Sequence, residues 1–282
     1  MQATKLTETK DISATLYRCQ AGPGDRPFDE QHDSWSIAFV RAGSFGYINR
    51  GRRFDLVPGS LLIGRPGDDF TCTHDHHEQG DECLCFRLAP QLVDEIGTEA
   101  LALGAVAPMA EFMVLGALAD AAVSGAGTVA LDEVGVAIAG KLEKRAGSGR
   151  HDTTKISARE RRRIVAAAHW IAEHAQEPID LAQASRQSGF STFHFLRLFA
   201  KVIGVTPHQY LIRARLARAA RLLAETEQPI TDIAFDIGFG DLSNFVRTFG
   251  RAAGLSPRDF RRAARADAET RKILQDRIAR AA

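Results

Sequence analysis

Histidines and cysteines are concentrated in one short stretch of the N-terminal half, residues 72–85, which reads CTHDHHEQGDECLC. The first cysteine and the two histidines after it alternate, so an extended strand would place all three on one side. A turn near residues 78–81 would bring the later cysteines alongside, with His76 opposite Cys83. Two imidazoles and two thiolates on one face form a donor set suited to zinc. The predicted metal ligands are His74, His76, Cys83 and Cys85.

The same stretch is also compatible with a polar hairpin that carries ordinary thiols. Leu84, Phe86 and Leu88 alternate with the two later cysteines and compete for the core face of their strand. A slip of one residue in register moves every side chain of a strand to the other face. Both interpretations therefore stay open: a metal or redox-sensing site, to which Glu78 is a further candidate ligand, or no site at all.

A second chemistry is indicated by arginines at matching positions of a repeated pattern in the C-terminal third. Residues 181–199 read LAQASRQSGFSTFHFLRLF, and residues 230–249 read ITDIAFDIGFGDLSNFVRTF. Gly189 matches Gly238 at an offset of 49, and Arg197 matches Arg247 at an offset of 50. A guanidinium group pairs bidentately with the O6 and N7 atoms of guanine. The repeat therefore indicates recognition of DNA bases.

Each copy has the pattern of a helix-turn-helix, in which a support helix and a tight turn precede a helix that reaches base edges. Glycine allows the turn because it adopts positive φ without penalty. Ser191 and Asp241 stand where an N-cap belongs. The phenylalanines at i and i+4 of each second helix predict a buried face, which leaves the other face to DNA. The predicted DNA-reading residues are Thr192, Phe193, Leu196, Arg197, Leu242, Ser243, Val246 and Arg247.

The two copies are joined by an uninterrupted helical pattern over residues 207–226, PHQYLIRARLARAARLLAET. About 20 residues at about 1.5 Å each span about 30 Å. This length is close to the ~34 Å between successive major grooves on one face of B-DNA. One chain is therefore predicted to place two reader helices in adjacent grooves. The arginines at 213, 215, 218 and 221 are expected to keep this helix solvated or to reach phosphate.

These residues resemble the AraC/XylS family of bacterial transcription regulators over about residues 160–265. The family's second-repeat pattern is met by Ile230, Ile233, Ala234, Gly238, Phe239, Phe245, Arg247, Phe249, Gly254, Ser256, Pro257, Phe260 and Arg261. Gly250 departs from it, since a lysine is usual there, and the departure removes one expected phosphate contact. The resemblance implies a transcription regulator with an N-terminal sensing domain.

Short β-rich segments punctuated by turn-forming residues fill residues 34–88 and predict a small antiparallel barrel or sandwich. This half is similar to the family's cupin-type sensing domain, which implies a bound small effector. Helical periodicity follows over residues 90–145, with apolar stripes that predict either core packing or a dimer seam. The expected fold is α+β, a cupin-like antiparallel β-barrel with a helical appendage followed by an all-α double helix-turn-helix domain.

The predicted boundaries are a sensing and dimerisation domain at 1–145, a polar linker at 146–159, the DNA-binding domain at 160–265 and a tail at 266–282. The charge supports this division. Residues 1–150 hold 14 Lys/Arg and 21 Asp/Glu, a balance of −7, whereas residues 151–282 hold 22 and 14, a balance of +8. The basic half indicates a polyanionic partner. No apolar run is long enough to span a bilayer.

The sequence thus predicts a non-enzymatic, cytoplasmic and nucleoid-associated regulator whose barrel couples a small-molecule or metal/redox signal to promoter DNA. Its expected partners are double-stranded DNA, an effector, RNA polymerase and a second copy of the chain. Zinc or another divalent metal is the expected cofactor if the histidine and cysteine cluster is a site. The alternatives are a metal-dependent cupin enzyme with a DNA-binding appendage, and a nucleoid-type architectural protein.

Overall fold

The computed structural model describes residues 1–75, 80–126, 128–143 and 156–266. Its strands are β1 (Gln2–Glu8), β2 (Ile12–Cys19), β3 (Phe28–Gln31), β4 (Ser36–Gly43), β5 (Phe45–Asn49), β6 (Arg52–Leu56), β7 (Leu61–Gly64), β8 (Asp69–Thr73), β9 (Asp81–Leu88) and β10 (Ala105–Val106). The six segments predicted within residues 34–88 correspond to β4–β9. The strands β1–β3 were not predicted, although the buried Ile12, Ala14 and Leu16 of β2 alternate in the sequence.

The strands form two antiparallel sheets. One has the order β1-β2-β9-β4-β7-β10 and the other the order β3-β8-β5-β6. Tyr47, Val40 and Cys83 belong to the apolar cluster between the two sheets. Phe86, Ile37 and Phe39 lie on the opposite face of the larger sheet, where helices cover them. The N-terminal half is therefore an antiparallel β-structure with an interior of its own, as the sequence predicted.

The predicted hairpin between residues 72 and 85 is wrong. The strand β8 pairs with β3 and β5, whereas β9 pairs with β2 and β4, so the two strands lie in different sheets. The expected conflict over the faces of β9 is also resolved. Leu84 and Phe86 face the helices, and Cys83 faces the space between the sheets, because both faces of this sheet are covered.

Three helices follow the strands: α1 (Pro90–Ile96), α2 (Ala110–Val123) and α3 (Leu131–Glu143). The helix α2 is buried on two sides. Phe112 packs on the larger sheet, and Val114 and Ala117 join the core of the C-terminal half. A Cβ atom at Gly116 would lie 2.0 Å from the ring of Phe39, so glycine permits this close approach to β4. The apolar stripe of α2 is therefore core within its own chain.

The C-terminal half consists of α4 (Ala158–Glu173), α5 (Leu181–Ser188), α6 (Thr192–Ile203), α7 (Pro207–Glu225), α8 (Ile230–Asp236), α9 (Leu242–Ala253) and α10 (Pro257–Arg265). The helices α4–α6 share one apolar core and α8–α10 another, and α7 contributes to both. The helix α4 begins within the segment predicted as a linker. Residues 146–155 of that segment and 267–282 of the predicted tail lie outside the described residues.

Polar contacts join the two halves. The Tyr210 hydroxyl of α7 donates to the Pro58 carbonyl at 3.3 Å, and the His169 Nε2 atom of α4 lies 3.1 Å from the Ser44 hydroxyl. The Arg161 guanidinium of α4 donates to the Asp55 carboxylate of β6. Together with the shared core around α2, these contacts fix the helices against the sheets. Within the described ranges, no helix is long and apolar enough to cross a membrane.

Candidate DNA-binding interface

The first helix-turn-helix is formed by α5 and α6. Asp180 caps α5, and its carboxylate accepts from the Gln183 N–H at 2.6 Å while the Gln183 side chain accepts from the Asp180 N–H. The helix ends at Gly189, whose φ of +62° lies in the left-handed region that glycine adopts most readily. The Ser191 hydroxyl then caps α6 by accepting from the His194 N–H. The glycine turn and serine cap are therefore as predicted.

The helix α6 presents one buried and one open face. Phe195 and Phe199 are fully buried with their rings 5.4 Å apart. Thr192 and Arg197 are exposed, and Phe193 is 77% exposed. The predicted reading residue Leu196 is half-buried, so only part of its side chain is open.

The support of α6 includes an arginine that sequence reasoning did not identify. The Arg163 guanidinium of α4 lies 3.8 Å from the centre of the Phe190 ring, and its Nε donates to the Ser188 carbonyl. A cation over an aromatic face is attracted by the ring quadrupole. Arg163 thereby holds the turn between α5 and α6. Its only sequence signal is a place in the basic run RERRR, where it resembles an ordinary surface charge.

The second helix-turn-helix, α8 and α9, repeats the plan with different surface chemistry. The Asp241 carboxylate caps α9 and accepts from the Asn244 N–H at 2.7 Å. Ser243 and Arg247 are exposed, and Val246 is 38% exposed. The predicted reading residue Leu242 is half-buried and packs on the core of α8–α10.

Asn244 was not predicted as part of this surface. Its Oδ1 atom accepts from the Arg247 Nη2 atom at 3.2 Å and from the Thr248 hydroxyl at 3.3 Å. The asparagine therefore restrains the guanidinium of Arg247 before any DNA is bound. Its signal in the sequence is its i, i+3 spacing from Arg247 on a helix.

The structure contradicts the role predicted for Arg215, that of a solvated or phosphate-contacting arginine of the connecting helix. It is 9% exposed, and its guanidinium donates to three backbone carbonyls: Ala175 at 2.6 Å, Glu177 at 2.8 Å and Gly238 at 2.7 Å. The first two follow α4, and the third is the turn of the second unit. Burial lowers the pKa of Arg215, yet a guanidinium stays charged at neutral pH. Arg215 therefore connects the two helix-turn-helix units through its hydrogen bonds.

Within the described ranges, His74, Cys83 and Cys85 do not form a common group of metal ligands. Cys83 lies between the sheets and Cys85 is half-buried beside them; burial raises the pKa of both thiols, that of Cys85 to about 11. His74 instead lies beside Cys19 and Asp81, with its Nε2 atom 3.5 Å from the Cys19 Sγ atom. His76, like Glu78, lies outside the described residues. The Cys83 Sγ atom lies 3.9 Å from the Asp81 Oδ1 atom, beside this second group.

Comparison with known proteins places this surface in context. The sequence family described as a helix-turn-helix domain matches residues 184–263. The regulatory protein SoxS of Salmonella typhimurium is 37% identical over 92 residues, which cover 33% of this chain and 86% of SoxS. The probable transcriptional regulator LumQ of Photobacterium leiognathi is 37% identical over 98 residues, which cover 35% of this chain and 40% of LumQ.

Two solved structures are similar to parts of this chain. The DNA-binding domain of AdpA in complex with a target DNA is 29% identical, covers 36% of this chain and 90% of its own, and has a TM-score of 0.34. An apo ToxT variant from Vibrio cholerae is 13% identical, covers 90% of this chain and 97% of its own, and has a TM-score of 0.37.

Proposed function

Because the chain belongs to the AraC/XylS family of bacterial transcription regulators, we propose that α6 and α9 read two successive and different DNA half-sites. The main support is that the capped helices α6 and α9 expose different side chains. Their two helix-turn-helix units are joined through the hydrogen bonds of Arg215. A non-specific architectural protein has no need for two distinct reading faces. The family is one of regulators, which also removes the enzymatic alternative.

Each reader helix offers one arginine and a small set of neighbours for base contacts. Arg197 and Arg247 pair with guanine O6 and N7, the commonest specific contact in the major groove. Thr192 and Ser243 supply hydroxyls for hydrogen bonds to base edges. Apolar contacts with thymine methyl groups fall to the exposed Phe193 and Val246 and, through their open edges, to Leu196 and Leu242.

The connecting helix sets the distance between the two half-sites. The 19 residues of α7 span about 29 Å, which is close to one turn of B-DNA. Because the exposed side chains of α6 and α9 differ, the recognised site is asymmetric and has a direction on the duplex. A mirrored or respaced pair of half-sites is then bound less tightly than the natural one.

The N-terminal domain, residues 1–145, acts in this proposal as a cupin-like sensor that passes a small-molecule or metal/redox signal to the DNA-binding domain, residues 160–265. Its support is the contact surface between the halves, which includes α2 in the core of the second helix-turn-helix and Arg161 bound to Asp55. A second copy of the chain and RNA polymerase are proposed as partners at the promoter, where activation is the proposed outcome.

Binding to DNA selected from the native genome tests the reading residues. The Arg247→Ala variant is expected to lose ~1–3 kcal/mol on the selected site and to accept other bases at one position. The exposed Arg258 of α10 provides a control of equal charge. Arg258→Ala is expected to weaken binding to all sequences alike. Fluorescence anisotropy across a salt series measures both, since phosphate contacts set the salt dependence.

Two results would contradict this proposal. Equal affinity of the wild-type protein for the selected site and for random duplex at physiological salt would remove sequence-specific reading. Equal loss of affinity on all sequences by Arg247→Ala and Arg258→Ala would show that Arg247 contacts only the backbone.

A further inference from the structure

Three potential metal ligands meet at one end of the N-terminal sheets. Cys19 ends β2, His74 follows β8 and Asp81 begins β9, and one ligand atom from each lies within 4.8 Å of the other two. Cys19 and Asp81 are opposite each other in the β2–β9 ladder, which fixes their proximity through the backbone. The His74 ring is stacked on Phe28 with centroids 5.4 Å apart. We propose that Cys19, His74 and Asp81 bind one zinc ion.

Both distances within the group match the spacing of ligands around one zinc ion. Tetrahedral zinc with Zn–S of about 2.3 Å and Zn–N of about 2.0 Å separates the sulfur and nitrogen atoms by about 3.5 Å. The Cys19 Sγ and His74 Nε2 atoms are 3.5 Å apart. The same geometry separates nitrogen and carboxylate oxygen by about 3.4 Å. The His74 Nε2 and Asp81 Oδ2 atoms are 3.5 Å apart, beyond the 2.7–3.2 Å of an N–H···O hydrogen bond.

Burial makes the group costly without a bound cation. The side chains of His74 and Asp81 are 3% and 9% exposed. Among the described residues, the Asp81 Oδ2 and His74 Nδ1 atoms have no hydrogen-bond partner. Buried polar atoms without partners cost free energy, and a buried carboxylate is normally paired or bound to a metal. Zinc bound at His74 Nε2 would give the unpartnered Asp81 Oδ2 atom a ligand partner, and the Cys19 thiol would release its proton to solvent as it binds.

A cavity of about 1210 Å³ between the sheets and the DNA-binding domain reaches this group. Cys19 and Asp81 line it on one side, and Arg218 and Arg221 of α7 line it on the other. Three protein ligands leave the fourth tetrahedral position to water or to a small ligand. The cavity provides both a path for the ion and space for that fourth ligand.

The residue after His74 contacts the DNA-binding domain. The Asp75 carboxylate accepts from the Arg53 guanidinium at 3.0 Å, and its carbonyl accepts from the Arg162 Nε atom of α4 at 2.8 Å. The adjacent Arg163 holds the turn before α6. Zinc at His74 therefore fixes a segment that is hydrogen-bonded to the support of the first reader helix. This regulatory step rests on the proposed function, whereas zinc binding does not.

Metal analysis and zinc titration of the full-length protein, purified without chelators, test the site. One zinc ion per chain is expected. Cys19→Ser and Asp81→Asn are expected to weaken binding more than the roughly 10–100-fold that loss of an outer-shell partner costs. Cys85→Ser is the matched control because Cys85 belongs to the overturned set, and its affinity should stay within about threefold of wild type. Cobalt substitution should give a thiolate-to-metal charge-transfer band that Cys19→Ser lacks.

Circular dichroism of each variant establishes that it is folded, so that loss of zinc is not loss of structure. Absence of stoichiometric zinc in the folded wild-type protein, or equal losses in Cys19→Ser and Cys85→Ser, would overturn the site. Zinc is further expected to change the affinity for the selected DNA site by about fivefold or more, the range of allosteric coupling. Zinc binding with unchanged DNA affinity would overturn the regulatory step alone. Selective DNA binding by the zinc-free protein would leave the reading proposal intact.

Discussion

Replacement of Arg215 by methionine is expected to separate the two helix-turn-helix units without changing either reading face. Methionine keeps the length and apolar contacts of the side chain but removes the donors to the carbonyls of Ala175, Glu177 and Gly238. Hydrogen bonds to charged groups contribute about 1.5–3 kcal/mol each, and buried carbonyls left unpaired are costly. The three bonds share one side chain and are not additive, so we expect a loss of about 3–5 kcal/mol of stability, near the lower end of their sum.

A loss of this size is a large fraction of the 5–15 kcal/mol that stabilises a typical domain. For a chain of this length, 1 kcal/mol shifts Tm by about 2–4 °C, so the variant should melt about 6–20 °C below the wild type. Arg218→Met is the matched control because Arg218 lies on the same helix and is exposed. Its effect should stay within about 0.5 kcal/mol. Urea unfolding and calorimetry of the full-length protein measure both variants.

The DNA readout separates a loss of stability from a loss of alignment. At a temperature where Arg215→Met is folded, its affinity for the complete site should fall, because the second unit no longer meets its half-site in register. Its affinity for an isolated half-site should change little. Equal unfolding free energies for Arg215→Met and Arg218→Met would refute the role of Arg215 in joining the two helix-turn-helix units. So would unchanged affinity of Arg215→Met for the complete site.

Two further substitutions test the turn and cap chemistry. Gly238→Ala should cost at least about 1–3 kcal/mol by calorimetry, because the residue has a φ of +89° and an added Cβ would lie 2.8 Å from the Arg215 guanidinium; an unchanged Tm would contradict this strain. Ser157→Ala should cost about 1 kcal/mol through loss of the α4 cap. Hydrogen bonds with Ser157 lower the pKa of Glu160. They therefore contribute fully to the stability of the folded protein above the ordinary Glu pKa, and this contribution is lost as pH falls through the lowered pKa. The free energy of unfolding should therefore fall less steeply with decreasing pH in Ser157→Ala than in the wild type. An identical pH dependence in the two proteins would contradict this expectation.

The basic charge of the C-terminal half is a weaker indicator of DNA binding than it first appears from the sequence. Four of these arginines bind other parts of the chain. Arg215 donates to the Ala175 carbonyl and Arg161 to the Asp55 carboxylate. Arg162 donates to the Asp75 carbonyl, and Arg163 donates to the Ser188 carbonyl at the turn before α6. Charge counting cannot distinguish such arginines from those that meet phosphate. Arg197 on the exposed face of its reader helix remains available to DNA.

The sequence by itself determined the parts of this protein that depend on near neighbours. The turn at Gly189, the caps at Ser191 and Asp241 and the buried Phe195–Phe199 pair all follow from residues within one or two helical turns of each other. The long connecting helix was also evident, because an uninterrupted apolar period needs no distant partner. The family resemblance rests on these same local patterns.

Only the tertiary structure decided which distant residues meet. With β8 and β9 in different sheets, the predicted hairpin does not form, and His74 lies beside Cys19, 55 residues earlier. The burial of Arg215 depends on carbonyls 40, 38 and 23 residues away in the chain. Local periodicity carries no information about such pairings, because they are set by strand order and by how helices pack on one another. The two helix-turn-helix units could therefore be predicted from the sequence, whereas their connection through Arg215 and the meeting of Cys19, His74 and Asp81 could not.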